Sequence, residues 1–209
     1  MKAKIDEARS QGIEPRVIVV INPGNPTGAC MTRAEVEDMI KLAHRESLAI
    51  FADEVYQDNI YNKDRPFVPF RRVLMELQNS QDATEREIGS SVELVSFHST
   101  SKGMVGECGR RGGFFVLNNM DAEVEAQINK VVSMSLCPPT QGQIGVDLLV
   151  RPPQPDEPSY ELWRHQIDTI YHTLQSRSQL IADSLNRLPG IFAEPAMGCL
   201  LYTSPSPRD

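Results

Sequence analysis

Two short apolar runs, residues 16–21 (Arg-Val-Ile-Val-Val-Ile) and 48–52 (Leu-Ala-Ile-Phe-Ala), flank a polar stretch of helical period. The first run is almost continuously apolar, the pattern of a strand covered on both faces. Between the runs, Thr32 and Glu35 form the T-x-x-E capping box, and Val36, Met39, Ile40 and Ala43 share one helix face. Met39 is read as core. Strand, helix, strand is a βαβ unit with a right-handed crossover, so its two strands are expected to be parallel. Parallel strands bring their carboxyl ends to one sheet edge, where open α/β sheets bind ligands.

The residues that follow each strand are polar and distinctive. The first strand runs into Asn22-Pro23-Gly24-Asn25-Pro26-Thr27-Gly28, where two Asn-Pro steps force a tight, non-helical loop. The second ends in Asp53-Glu54-Val55-Tyr56. A third strand, expected at 92–97, leads to Ser99-Thr100-Ser101-Lys102-Gly103. Gly109-Arg110-Arg111-Gly112-Gly113 then opens a fourth strand at 113–117. A lysine just past a strand end, between small hydroxyl residues, suits a Schiff-base amine, which must be partly desolvated to attack a carbonyl. The planar fork of Arg111 can clamp a phosphate. Asn25, Asp53 with Tyr56, and Ser99 with Lys102 therefore meet at one edge, with Arg111 behind. The set fits pyridoxal 5'-phosphate better than any other common cofactor. Asp53 can hold the pyridine nitrogen, Asn25 and Tyr56 the ring oxygen, Lys102 the aldehyde, and Ser99 and Arg111 the phosphate.

These stretches, with Ser96-Phe97-His98-Ser99-Thr100-Ser101-Lys102-Gly103, Gly106-Glu107-Cys108-Gly109-Arg110-Arg111-Gly112-Gly113 and Leu136-Cys137-Pro138-Pro139, occur in one order. In them the sequence resembles the fold-type-I pyridoxal-phosphate aminotransferases, and among these the alanine aminotransferases, over residues 13–198. The resemblance implies a three-layer α/β sandwich with a mostly parallel sheet. Residues 1–150 would be a partial cofactor-binding large domain, and 151–198 a linker, a long helix and the start of a smaller α/β domain. It gives Asn25, Asp53, Tyr56, Ser99, Lys102 and Arg111 the cofactor roles above, with Lys102 catalytic and Ser101 a weaker phosphate candidate. Arg111 is chosen over Arg110 because the family's phosphate arginine directly precedes Gly-Gly; Arg110 is expected to be exposed. Cys108 is expected to be a buried thiol. The implied reaction passes the amino group of L-alanine to 2-oxoglutarate, giving pyruvate and L-glutamate, with Lys102 moving the Cα proton. Alternatives are an aromatic aminotransferase or C–S lyase on the same scaffold, and a non-catalytic sensor or remnant.

The family's phosphate-seating loop and ring-stacking aromatic would lie upstream, and its substrate-carboxylate arginine downstream. The chain is therefore read as a fragment that binds cofactor weakly and turns over little. A homodimer is implied for the complete protein, in the cytoplasm or the mitochondrial matrix. Residues 199–209 carry two Ser-Pro steps and no period. They resemble translated sequencing-library adapter and are read as a non-native tail.

The net charge of −7 gives no basic footprint, so nucleic acid is not an expected partner. No apolar run is long enough to span a bilayer. Cys30, Cys108, Cys137 and Cys199 are scattered and form no C-x-x-C pair, which points to reduced thiols. His44, His98, His165 and His172 show no metal-ligand spacing, so no metal site is expected. Residues 57–91 read as polar and irregular, with a short helix at 72–77 and a surface excursion over 78–91. Helices are expected at 121–134 and 140–150. A proline-rich linker follows at 151–158. A long helix then starts at Ser159 or Tyr160, with Ser159 as N-cap and Trp163 as a packing residue, and ends near Pro189-Gly190.

Overall fold

The computed structural model describes residues 1–104 and 106–199. Four strands form one sheet in the order β1-β2-β3-β4: β1 (Val17–Ile21), β2 (Ala49–Asp53), β3 (Leu94–Ser99) and β4 (Gly113–Asn118). The first two pairings are parallel and the third antiparallel. This is a mixed, mostly parallel α/β sheet, with the βαβ unit where the sequence places it. Its crossover helix α2 (Arg33–Glu46) starts at the expected capping box. The Glu35 amide donates to Thr32 Oγ1 at 3.3 Å, and the Thr32 amide donates back to Glu35 Oε2 at 2.7 Å.

Helices α2, α3 (Phe70–Gln78) and α4 (Ala83–Ser91) cover one sheet face. Side chains alternate along a strand, so that face receives Ile18, Val20, Ile50, Ala52 and Leu94. Against them pack Val36, Ile40 and Ala43 of α2, Phe70, Val73, Leu74 and Leu77 of α3, and Ile88 of α4. Met39 packs against this core while remaining partly exposed. The amino-terminal helix α1 (Lys2–Ser10) is held by the buried carboxylate of Glu46, which accepts from Lys2 Nζ at 2.9 Å and Arg9 Nη1 at 2.6 Å. These hydrogen bonds hold the Glu46 carboxyl below the ordinary range.

Three expectations need correction. Strand β1 is not covered on both faces: Val17, Val19 and Ile21 alternate outward, with Val19 65% exposed, because no described helix lies against them. The short helix expected at 72–77 is present as α3, but the stretch read as a surface excursion over 78–91 also forms a helix, α4. Helix α3 carries a full apolar stripe, Phe70, Val73, Leu74 and Leu77, whereas α4 has too few apolar positions for a strong period, and capping and tertiary burial complete its signal. Asp82 accepts from the Thr84 and Glu85 amides at the start of α4, and Ile88 anchors the helix on the core. Ser159 does precede the long helix α7 (Tyr160–Asn186), but its side chain makes no cap bond.

Helices α5 (Ala122–Ser133) and α6 (Thr140–Val150) agree with the sequence reading, Asp121 capping the former. Trp163 is half-buried and packs beside Tyr160, with ring centroids 5.9 Å apart. Helix α7 is tied to the chain after β2, where Tyr171 Oη donates to the Ile60 carbonyl and Gln175 Nε2 to that of Tyr61, both at 2.8 Å. Of the stretch read as a non-native tail, residues 200–209 lie outside the described residues. Among those described, no helix is long and apolar enough to cross a membrane, no disulfide forms and no group of side chains could hold a metal.

Phe70 is fully buried at the start of α3 and touches the centre of the core. Phe70→Ala is expected to destabilise the fold by roughly 3–5 kcal/mol, the usual cost of truncating a buried aromatic. Urea denaturation with an unchanged slope would show it, and a loss under about 1 kcal/mol would mean that α3 is not seated as described.

Candidate active site

The register explains why the polar residues converge. Ile21 pairs with Asp53 and Asp53 with Phe97, so the carboxyl ends of β1, β2 and β3 lie side by side. Strand β4 runs the other way and puts Gly113 opposite Ser99, returning Arg111 to the same edge. Alternation places Asp53 and Ser99 on the sheet face that α2–α4 leave open, together with an aromatic row. Phe51 and Phe97 have ring centroids 5.4 Å apart, Phe97 and Phe115 6.2 Å.

Backbone hydrogen bonds carry the ladder past the strand ends and fix the loops. The Asn22 amide donates to the Asp53 carbonyl at 3.0 Å, and the Glu54 amide to that of Phe97 at 3.1 Å. Asn22 is fully buried, and its Oδ1 accepts from the Met31 amide at 2.9 Å, closing the loop that presents Asn25. Asn25 is exposed and donates through Nδ2 to Tyr56 Oη at 3.4 Å. The Lys102 ammonium stands 5.6 Å from the centroid of the buried Tyr56 ring, within cation–π range. Asn25, Tyr56 and Lys102, from three separate segments, thus form one contact chain. Half-buried Asp53 accepts from the Val55 amide at 3.3 Å, and Ser99 Oγ from the Ser101 amide at 3.3 Å.

Arg111 is exposed and left-handed, with φ +56°, and its Nη1 donates to the Cys108 carbonyl at 3.1 Å. Arg110, expected to be exposed, is partly so, with 41% of its side chain accessible. It is half-buried against Gly145 of α6 and pairs with Glu107 at 3.2 Å. Cys108 is exposed rather than buried, since only Arg110 of the turn at Cys108–Arg110 packs on α6 and Cys108 lies on its open side.

Sequence reading missed two positioning asparagines. One is Asn22. The other, Asn59, is also fully buried; its Nδ2 donates to the Gly103 carbonyl at 3.4 Å and its own carbonyl accepts the Cys199 amide at 2.9 Å. The second bond belongs to a strip, residues 197–199, threaded between Asn59–Tyr61 and the Gly28 loop. The Gly198 amide donates to the Gly28 carbonyl at 2.9 Å, and a Cβ on Gly198 would lie 2.5 Å from the Asn59 carbonyl oxygen. Only glycine allows that approach. No local pattern announces these contacts, although Asn beside Pro at position 22 marks a turn.

The set presents a carboxylate, an amide and a phenol that share a hydrogen bond, an amine, hydroxyls and a guanidinium along one edge. That donor chemistry matches a planar, phosphorylated pyridine aldehyde group for group. A sequence profile of the family described as aminotransferase class I and II matches residues 1–208. The chain belongs to this family. It is 43% identical over 204 residues to a probable mitochondrial alanine aminotransferase of Dictyostelium discoideum, covering 97% of this chain and 36% of that protein. It is 45% identical over 199 residues to an alanine aminotransferase 2-like protein of Danio rerio, covering 95% of this chain and 35% of that one. The chain thus spans about a third of the length of these relatives. The solved alanine aminotransferase of Pyrococcus furiosus superposes with a TM-score of 0.69 at 22% identity, over 93% of this chain and 43% of that one, a likeness of fold.

Behind the aminotransferase edge, on the helix-covered face, lies a separate cavity of about 600 Å3 lined by Glu54, Ser96, His98, Phe114 and Met75 among others. Burial favours the neutral forms there, pushing the Glu54 carboxyl up and the His98 imidazole down. Glu54 Oε1 accepts the Phe70 amide at 2.8 Å, doing for α3 what its N-cap Pro69 cannot. Because its folded pKa is raised, Glu54 contributes stability that is full below the ordinary carboxylate range and is lost as pH rises through the folded value. Glu54→Gln keeps the acceptor without the charge. It is therefore expected to match the wild type below about pH 4 and to become the more stable as pH approaches neutral. Parallel urea titrations across pH measure this; a stability difference that does not change with pH would exclude the assignment.

Proposed function

We propose that the protein is a pyridoxal-phosphate-dependent alanine aminotransferase that transfers the amino group of L-alanine to 2-oxoglutarate, giving pyruvate and L-glutamate. The observation that carries the reading is the contact chain Asn25–Tyr56–Lys102 beside Asp53, at the carboxyl edge of the sheet of a class I and II aminotransferase. The alanine aminotransferase names of the relatives support the choice of substrates. Residues 1–150 serve as part of the cofactor-binding large domain in this reading, and 151–198 as a linker, a long helix and the start of a smaller α/β domain.

Asp53 would hold the ring nitrogen protonated, Asn25 and Tyr56 the ring oxygen, Lys102 the aldehyde, and Ser99, Ser101 and Arg111 the phosphate. Bound pyridoxal phosphate supplies an electron sink for the pair left on the substrate Cα when its proton departs. The amine of Lys102 would be the base that takes the Cα proton and gives it up on the cofactor side rather than back to Cα, as amino-group transfer requires. The Asn25–Tyr56 hydrogen bond orients two donors toward one acceptor before any ligand arrives, so little reorganisation is needed on binding. Turning Arg111 from the Cys108 carbonyl to a phosphate exchanges a neutral acceptor for a charged one, which strengthens the bond.

Titration with pyridoxal phosphate, followed by absorbance, tests the reading. A visible band is expected that is absent in Lys102→Ala and bleaches with L-alanine, with pyruvate released. A band that survives in Lys102→Ala would remove the lysine from its role. Bleaching by an aromatic amino acid but not by L-alanine would reassign the substrate.

A further inference from the structure

The loop between β3 and β4 carries both Lys102 and Arg111, and one side chain closes it. Thr100 is buried, 6% exposed. Its amide and its Oγ1 both donate to the Gly112 carbonyl at 3.1 Å, and its own carbonyl accepts the Glu107 amide at 2.8 Å. Its Cγ2 methyl faces α6, where a Cβ on Gly145 would lie 3.3 Å away. Gly112 is pressed from the other side. A Cβ there would lie 2.5 Å from the Gly142 carbonyl oxygen, and a Cβ on Gly142 would lie 2.8 Å from that of Arg111. Gly112 is thus held between the Thr100 hydroxyl and the backbone of α6. The residue before it, Arg111, is fixed in a left-handed conformation that a free arginine rarely adopts.

We propose that Thr100 is a positioning residue whose hydroxyl, by holding the Gly112 carbonyl, sets the separation of Lys102 and Arg111. The inference rests on the aminotransferase reading above. Lys102 and Arg111 reach opposite ends of one rigid ligand in that reading, so an error in their separation penalises only a ligand that carries both the aldehyde and the phosphate. Thr100 touches neither end. It acts through the Gly112 carbonyl, one peptide from Arg111, and two residues from Lys102 along the chain.

The test compares pyridoxal 5'-phosphate with pyridoxal, which has the aldehyde and no phosphate, on the wild-type protein, Thr100→Val and Thr100→Ser. Valine keeps the shape and the backbone bond and removes the hydroxyl. Thr100→Val is expected to weaken pyridoxal phosphate roughly fivefold, the effect of losing one net hydrogen bond, and to leave pyridoxal within about twofold. Thr100→Ser, which keeps the hydroxyl and loses the methyl, is expected to retain the wild-type ratio of the two affinities. Equal weakening of both ligands in Thr100→Val, an unchanged phosphate-ligand affinity, or a collapsed ratio in Thr100→Ser would each overturn the proposal while leaving the aminotransferase reading intact. Failure of the wild-type protein to capture either aldehyde through Lys102 would overturn both.

Discussion

Parallel pairing of β1, β2 and β3 is the constraint on which the rest of the molecule depends. A parallel ladder fixes which residues stand side by side and sends all three chains off the sheet at one edge. Asn22, Glu54 and Thr100 then continue the backbone bonding beyond the strands, so the loops leave the edge already oriented. The antiparallel return of β4 adds the one element that a parallel sheet cannot, a chain arriving at that edge from outside, which brings Arg111 back to the edge two residues before Gly113 pairs with Ser99.

The sheet gives its two faces different work. Even-numbered residues of β1, β2 and β3 meet α2–α4 and form an apolar layer that gives way in β3 to the buried polar residues Ser96 and His98 beside the cavity. Odd-numbered residues of the same strands include Asp53 and Ser99 and the Phe51–Phe97 pair. Rigidity comes from the first face and the groups of the proposed site from the second, one residue apart along the chain. Glu54 joins the two. It follows Asp53 directly, yet turns into the helix-covered side, where it caps α3 as a carboxyl group whose burial disfavours charge. Backbone tension at the site is local, since Arg111 is left-handed in a turn whose next residue is clamped by Thr100 and α6.

The residues of the proposed site were legible because each lies in a short motif at a strand end: Asn25 between two prolines and a glycine, Asp53 after an apolar run, Lys102 among hydroxyls. The βαβ unit and the α2 cap were legible for the same reason, since their determinants lie within a few residues of one another. Helix α4 was not, because Ala83–Ser91 offers one apolar anchor, Ile88, and is stable through the Asp82 cap and contact with the core. Cys108 was misjudged because the exposure of a turn depends on which elements pass over it.

What the sequence by itself determined is the set of functional groups, their order, and the local elements that carry them, because periodicity, capping and turn chemistry act over a few residues. What only the tertiary structure decided is which groups touch. The Asn25–Tyr56–Lys102 chain, the Thr100 hold on Gly112 and the Gly28–Gly198 strip join residues 12 to 170 positions apart. Those distances are set by strand register and by close backbone approach at glycines, and both arise only when separate segments pack.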